Sequence, residues 1–242
     1  MYQEINSPPN TSSIIAAIWS FQTLEQNTWV KIVPDNCFDI IFELRSGKAY
    51  VAGMMTQSLQ RMVPANSQLL GVRIPAGYWH NFSALAANEL QHQRIQTNTV
   101  IPSLEVEEMV AALSQLNAIE DRAQYLQSKI LNLQQTIDRG TDPLINSVVQ
   151  VCYGHSGKID IRVLANAHFI SVRQLERRFK RRVGIRLIEF INIIRFHRAK
   201  AAVETCKDES LLSIAFRHGY YDHAHMTKAF KRIAGVPPSM YR

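Results

Sequence analysis

The sequence predicts two fold classes in series. An α+β N-terminal domain, a small β-barrel or sandwich with helices behind it, precedes an all-α domain with two helix-turn-helix motifs joined by a long helix. Three observations predict this. Short strand-like runs bounded by turn residues fill the first part of the chain. One residue pattern is written twice near the C-terminus. The charge is divided, with 9 Lys/Arg against 13 Asp/Glu in residues 1–142 and 18 against 7 in residues 143–242. A mildly acidic half ahead of a strongly basic half points to a sensing or assembly unit joined to a unit that binds a polyanion.

The strand candidates are residues 30–33, 38–44, 49–52 and 68–74, with turns at Pro34-Asp35-Asn36 and Ser46-Gly47. Helices are expected at about 104–116 and 119–137. In the second, Ile119, Ala123, Leu126, Ile130, Leu133 and Ile137 step by 4, 3, 4, 3, 4, a heptad seam. Two readings of it stand: packing on the β-rich domain of the same chain, or a homodimer through Ile119, Leu126, Ile130 and Leu133. Asp138-Arg139-Gly140-Thr141 reads as a linker, and Asp142 caps a new helix with Pro143 at its first position. The expected organisation is a β-rich sensor or dimerisation domain over 1–138, a linker and first helix over 139–157, and a double helix-turn-helix domain over 158–242.

The repeat is legible residue by residue. Its first copy runs Leu164-Ala165, Ser171, Leu175, Phe179-Lys180, Gly184, Phe190; its second runs Ile214-Ala215, Asp222, Met226, Phe230-Lys231, Gly235, Tyr241. The offset is 50 residues at the first pair and 51 from Ser171 to Asp222 onward. Ala165 and Ala215 permit close helix packing. Ser171 and Asp222 are N-cap types, each opening a helical run. Leu175 with Phe179, and Met226 with Phe230, share a buried face four residues apart. The other face presents Arg173, Arg177 and Arg181 in one copy and His223, Thr227 and Lys231 in the other. Gly184 and Gly235 lie past the helix ends, where a left-handed cap is expected. Between the copies, Leu187, Ile191 and Ile194 recur at helical spacing over about 185–204, a helix of roughly 27–30 Å. Successive major-groove faces lie about 34 Å apart, so such a helix holds two reading helices almost one turn apart, with some bending of the DNA.

The stretches LANAHFISVRQLERRFKRRVG, RFHRAK and IAFRHGYYDHAHMTKAFKRIAGVPPSMYR resemble the DNA-binding domain of the AraC/XylS family of bacterial transcription regulators, over about residues 158–242. The chain departs from the family at Phe169, where a small residue or glycine is frequent, and at Met226, where phenylalanine is usual. The resemblance implies a sequence-specific transcription regulator reading two successive major-groove segments of double-stranded DNA. It places Arg173, Glu176 and Arg177 of the first helix against bases, arginine suiting guanine and glutamate a cytosine amino group. In the second helix His223, Thr227 and Lys228 are the equivalents, and Arg181 and Lys231 extend the two basic faces. WVKIVPDNCFDIIFEL, GVRIPAGYWHNF and the helices after them resemble a sensor-like domain of some family members, which implies a cupin-like barrel. Phe42, Tyr78, Trp79 and Phe82 line an effector pocket or are core. RNA polymerase is a further partner for a protein of this kind. The alternative is an effector-independent architectural DNA binder or a regulator acting through protein contacts.

Enzyme readings fare poorly: no nucleophile-elbow, P-loop or dinucleotide fingerprint occurs. No cofactor or metal is expected. His80 and His92 have no metal-ligand spacing, and the pair Cys152 and His155 lacks a second pair. Cys37, Cys152 and Cys206 form no disulfide framework, and the apolar run 14–19 is too short to span a membrane. A cytoplasmic protein with no membrane partner is therefore expected.

Overall fold

The computed structural model describes residues 1–6, 14–83, 85–102, 104–136 and 142–242. Strands β1 (Tyr2–Asn6), β2 (Ala17–Gln22), β4 (Cys37–Glu43), β5 (Lys48–Ala52), β7 (Gln68–Pro75) and β8 (Arg94–Gln96) form one antiparallel sheet in the order β1-β2-β7-β4-β5-β8. Strands β3 (Thr28–Ile32) and β6 (Leu59–Val63) pair separately. Two-residue periodicity decides which side chains face which way. In β4, Phe38, Ile40 and Phe42 are fully buried on one face; in β7, Leu70, Val72 and Ile74 do the same. The opposite face, with Cys37, Asp39, Ile41, Leu69 and Arg73, looks across a cavity of about 500 Å³ toward Val30, Ile32 and Arg61 of the β3–β6 pair. Gly71 is a glycine because the Trp19 indole crosses it: a Cβ there would lie 2.0 Å from the ring.

Helices α1 (Thr97–Val100), α2 (Val106–Gln115) and α3 (Ile119–Thr136) follow, α2 packing on β4 and β5 and α3 on β2. The heptad seam is thereby spent inside the protomer: Leu126 and Ile130 are 0 % exposed, and Ala123 and Leu133 nearly so. The expected dimer seam through Leu126, Ile130 and Leu133 is corrected accordingly, with Ile119 half-buried at its start and Ile137 outside the described residues. A 4,3 stripe suits a partner helix and a sheet equally well, and the sheet lies within the same chain. Of the two readings of the aromatics, the core one holds for Phe42 and Phe82, while Trp79 is both core and part of a cavity wall. Phe42 faces the core side of β4, away from the barrel cavity, and Phe82 is 1 % exposed among core residues. Trp79 is buried and stacked on Phe38 with ring centroids 4.8 Å apart, and half-buried Tyr78 packs against the same core.

The second half is helical: α4 (Pro143–Gly154), α5 (Ile161–Ala167), α6 (Val172–Val183), α7 (Leu187–Thr205), α8 (Leu211–Arg217) and α9 (His223–Ala234). No helix among the described residues is long and apolar enough to cross a membrane. The sequence repeat is a structural one: α5 and α8 have 7 residues each, α6 and α9 12 each. The two halves share a continuous hydrophobic core, stitched by polar contacts. Asn36 Nδ2 donates to the Phe190 carbonyl at 3.0 Å, His197 Nε2 to the Pro34 carbonyl at 2.6 Å, and Ser58 N to the Ile233 carbonyl at 2.7 Å.

Because the α3 seam is core, Leu126→Ala is expected to cost about 2–5 kcal/mol of stability and to leave the oligomeric state unchanged. Chemical denaturation beside sedimentation checks this; a shift in association state with stability preserved would restore the dimer reading.

Candidate nucleic-acid interface

Each reading helix is built the same way. Ser171 Oγ accepts from Gln174 N at 3.2 Å while Gln174 Oε1 accepts from Ser171 N at 3.0 Å, a complete capping box at the start of α6. At α9, Asp222 Oδ1 accepts from His225 N at 2.6 Å, and His225 Nδ1 accepts from Tyr221 N at 3.2 Å. Both helices end on a left-handed glycine, Gly184 with φ 99° and Gly235 with φ 72°. Leu175, Phe179, Met226 and Phe230 are all 0 % exposed. The repeated phenylalanines seat both helices on α7: Phe179 meets Phe190 edge-on at 5.3 Å, and Phe230 meets Phe196 at 4.7 Å. Helix α7 has 19 residues, about 28 Å along its axis. Arg195, half-way along it, donates to the Gly157 carbonyl before the first motif and lies over the Tyr220 ring of the second at 5.7 Å.

The sequence is similar to known proteins. Residues 164–242 match the family described as a helix-turn-helix domain, and residues 3–96 match a domain of unknown function, DUF6597. The chain is 25 % identical over 162 residues to the HTH-type transcriptional activator RhaS of Escherichia fergusonii, covering 62 % of this chain and 57 % of the relative. It is 28 % identical over 162 residues to the HTH-type transcriptional regulator MtrA of Neisseria gonorrhoeae, covering 63 % and 54 %. Over these residues the chain is similar to AraC-type transcription regulators. Among solved structures, the C-terminal domain of AraT, a response regulator from Geobacillus stearothermophilus, is 27 % identical over 42 % of this chain and 84 % of that one, with a TM-score of 0.39. The chain thus spans a little over half the length of the curated relatives it matches.

Within this AraC/XylS-type domain, the polar residues singled out in the sequence divide into three groups. Arg173, Arg177 and Arg181 on α6, and His223, Lys228 and Lys231 on α9, are exposed. Glu176 is half-buried, and its Oε2 accepts from Leu187 N at 3.3 Å. Its carboxylate thereby caps α7, whose first amides have no partner within the helix. Thr227 is half-buried as well. It adjoins the buried stripe of Met226, Phe230 and Ile233, and its hydroxyl is enclosed.

The reading missed what lies beside α6. A second cavity, of about 1040 Å³, opens between α6 and the N-terminal domain. Arg177, Arg178, Arg181 and Arg182 line it on one side, and Trp79, Ser83, Leu85, Ala86 and Ala87 on the other. At its edge sits Asp142, the cap of α4, with a side chain only 2 % exposed. Arg178 grips it bidentately, Nε to Oδ2 and Nη2 to Oδ1 both at 2.8 Å, and Arg182 Nε stands 3.5 Å away. Burial raises the Asp142 pKa, but the Arg178 hydrogen bonds, the Ile145 amide and the positive charge outweigh it, so the group is held below the usual carboxylate range. No residue spacing announced this ion pair, because its partners are 36 residues apart.

The barrel cavity is lined differently. Arg73 bridges Glu4 at 3.0 Å, Asp35 at 3.0 Å and Asp39 at 3.6 Å, and Trp19 Nε1 donates to Asp39 at 2.9 Å. Burial, then repulsion from Asp35, pushes Asp39 up to about 6.

Phe169 occupies the turn of the first motif with φ 53°, the position that Gly219 takes in the second with φ 74°. Its side chain is 96 % exposed, so little packing offsets the left-handed backbone. Phe169→Gly is expected to stabilise the protein by about 1 kcal/mol, a rise of roughly 2–4 °C in Tm. A lower Tm would contradict the strain.

Proposed function

We propose that this chain is a sequence-specific transcription regulator of the AraC type, in which α6 and α9 read two successive major-groove segments of double-stranded DNA. The carrying observation is the pair of capped basic helices seated by equivalent phenylalanines on one 19-residue spacer. In this reading residues 158–242 are the DNA-binding domain, joined by α4 through Asp142, and residues 1–138 are a sensor-like domain. The protein acts in the cytoplasm, where its operators are, and contact with RNA polymerase belongs to the same reading. Affinity comes largely from Lys and Arg on phosphates, since Lys and Arg outnumber Asp and Glu by 18 to 7 in residues 143–242. Specificity comes chiefly from α6, where Arg173 and Arg177 stand exposed in the first turns. Arginine bonds a guanine edge bidentately, which Lys228 and Lys231 of α9 cannot do. With Glu176 capping α7 and the Thr227 hydroxyl enclosed, direct base recognition concentrates further on these two arginines.

Arg177→Ala is expected to cost about 1–3 kcal/mol at the specific site and to relax preference at one or two base pairs. Lys228→Ala weakens specific and scrambled duplexes more evenly. Competition of both full-length variants on a library of single-base changes, at two salt concentrations, tests the reading. If six phosphates are contacted, log K falls against log salt with a slope of about −5. Loss of base preference in Lys228→Ala with preference intact in Arg177→Ala would reverse the assignment. A flat salt response would remove the DNA reading altogether.

A further inference from the structure

Two loops of the N-terminal domain end on the two reading helices. The first, residues 53–58, joins β5 to β6, and Ser58 N donates to the Ile233 carbonyl of α9 at 2.7 Å. That carbonyl is among the last of its helix, which have no partner within it. Beside it, a Cβ on Gly235 would stand 3.4 Å from Ser58 Oγ and 3.8 Å from Lys31 Nζ, so an ammonium group lies at the negative end of α9. The second loop, residues 87–93, precedes β8 and touches the matching end of α6: the Ala87 carbonyl oxygen lies 2.9 Å from where a Cβ on Gly184 would stand. The two loops are also joined to each other. Gly53 N donates to the Gln93 carbonyl at 3.0 Å, and His92 N to the Met54 carbonyl at 2.9 Å. Thr56 Oγ1 and His92 Nε2 lie 3.1 Å apart. A Cβ on Gly53 would stand 1.8 Å from the Leu90 carbonyl oxygen, so the two backbones cross in direct contact. A continuous path therefore runs from the end of α6, through Ala87, Leu90, Gly53 and Ser58, to the end of α9, and none of it passes through α7.

We infer that these stitched loops are a brace: together with α7 they hold the mutual orientation of the two reading helices, so that the N-terminal domain takes part in setting which spacing of DNA segments the protein accepts. The inference rests on the reading of α6 and α9 as DNA-reading helices. Helix α7 seats each of them through one aromatic pair, Phe179 on Phe190 and Phe230 on Phe196. A helix held at one place pivots about it; one held at its C-terminal end as well does not. Ser58 and Lys31 are thus positioning residues, which act on DNA through the helix they hold. One base pair added between the two segments turns the second by about 35° and moves it about 3.4 Å. A doubly held pair of helices cannot follow that change, whereas a singly held pair follows it in part.

The test uses the full chain and two duplexes, one selected from random sequence and the same one with a base pair inserted between its two protected segments. The full chain is expected to bind the second at least about tenfold more weakly, the cost of a misfitted site. Ser58→Pro removes the amide donor and is expected to bring that ratio to about threefold or less. Lys31→Glu changes an exposed side chain and sets a carboxylate against the negative end of α9. It is expected to lower the ratio in the same direction, and it carries the test if Ser58→Pro does not fold. The altered net charge shifts affinity for both duplexes alike and cancels in the ratio. Equal binding of the two duplexes by the full chain, or an unchanged ratio in the folded variants, would overturn the brace. Hydrogen exchange of the Ser58 amide in the free full chain reads the same contact without DNA. Slow exchange is expected there, and exchange at the rate of an open amide would contradict the brace. A slow Ser58 amide with no selective duplex binding would strike the DNA reading instead.

Discussion

Everything in this structure depends on burying helix α7 over most of its circumference. Leu187, Phe190, Ile191, Ile193, Ile194, Phe196, Ala199, Ala202 and Val203 are buried and do not fall on a single stripe. A helix with apolar residues on several faces has to be packed on each of them, and only positions such as Arg198, Glu204 and Thr205 remain in water. Three neighbours enclose it: α4 with α6 at one end, α8 with α9 at the other, and the N-terminal domain through Pro34 and Asn36. The same burial fixes the distance and orientation of the two reading helices. Deleting either Phe179 or Phe230 would leave a void against an α7 aromatic, a change of the kind that costs about 3–5 kcal/mol.

The polar groups left at the seams follow from that enclosure. Asn36 takes a left-handed backbone with φ 63° and turns its amide to the Phe190 carbonyl, so a residue of the barrel bonds the first turn of the spacer. Glu176 leaves the DNA face to cap α7, and Asp142 anchors α4 to α6 through Arg178. The domains are therefore joined by a few named bonds around one packed helix.

The helical half was readable because its information is local. N-caps at Ser171 and Asp222, glycine ends at Gly184 and Gly235, and the Asp142–Pro143 start all appear as drawn from the sequence. Strands β4, β5 and β7 were readable from alternation and β-branched content; β6, whose LQRMV run is largely exposed, β2, apolar on consecutive positions, and three-residue β8 carry no such period. The candidate site was legible as a set of exposed basic side chains and no further. The family resemblance places Glu176 on the reading face and helical spacing places Thr227 there, and only the packing of α7 and of the 226/230 stripe reveals their other contacts. The α3 seam shows the same limit, since periodicity names a face but never its partner.

The central claim is that one buried spacer holds two reading helices at a separation DNA can match. Hydroxyl-radical footprinting of the full chain on a duplex selected from random sequence tests it most directly. The account predicts two protected patches on one face of the duplex, separated by about one helical turn, 10–10.5 base pairs. A single patch, or uniform protection without that period, would contradict it.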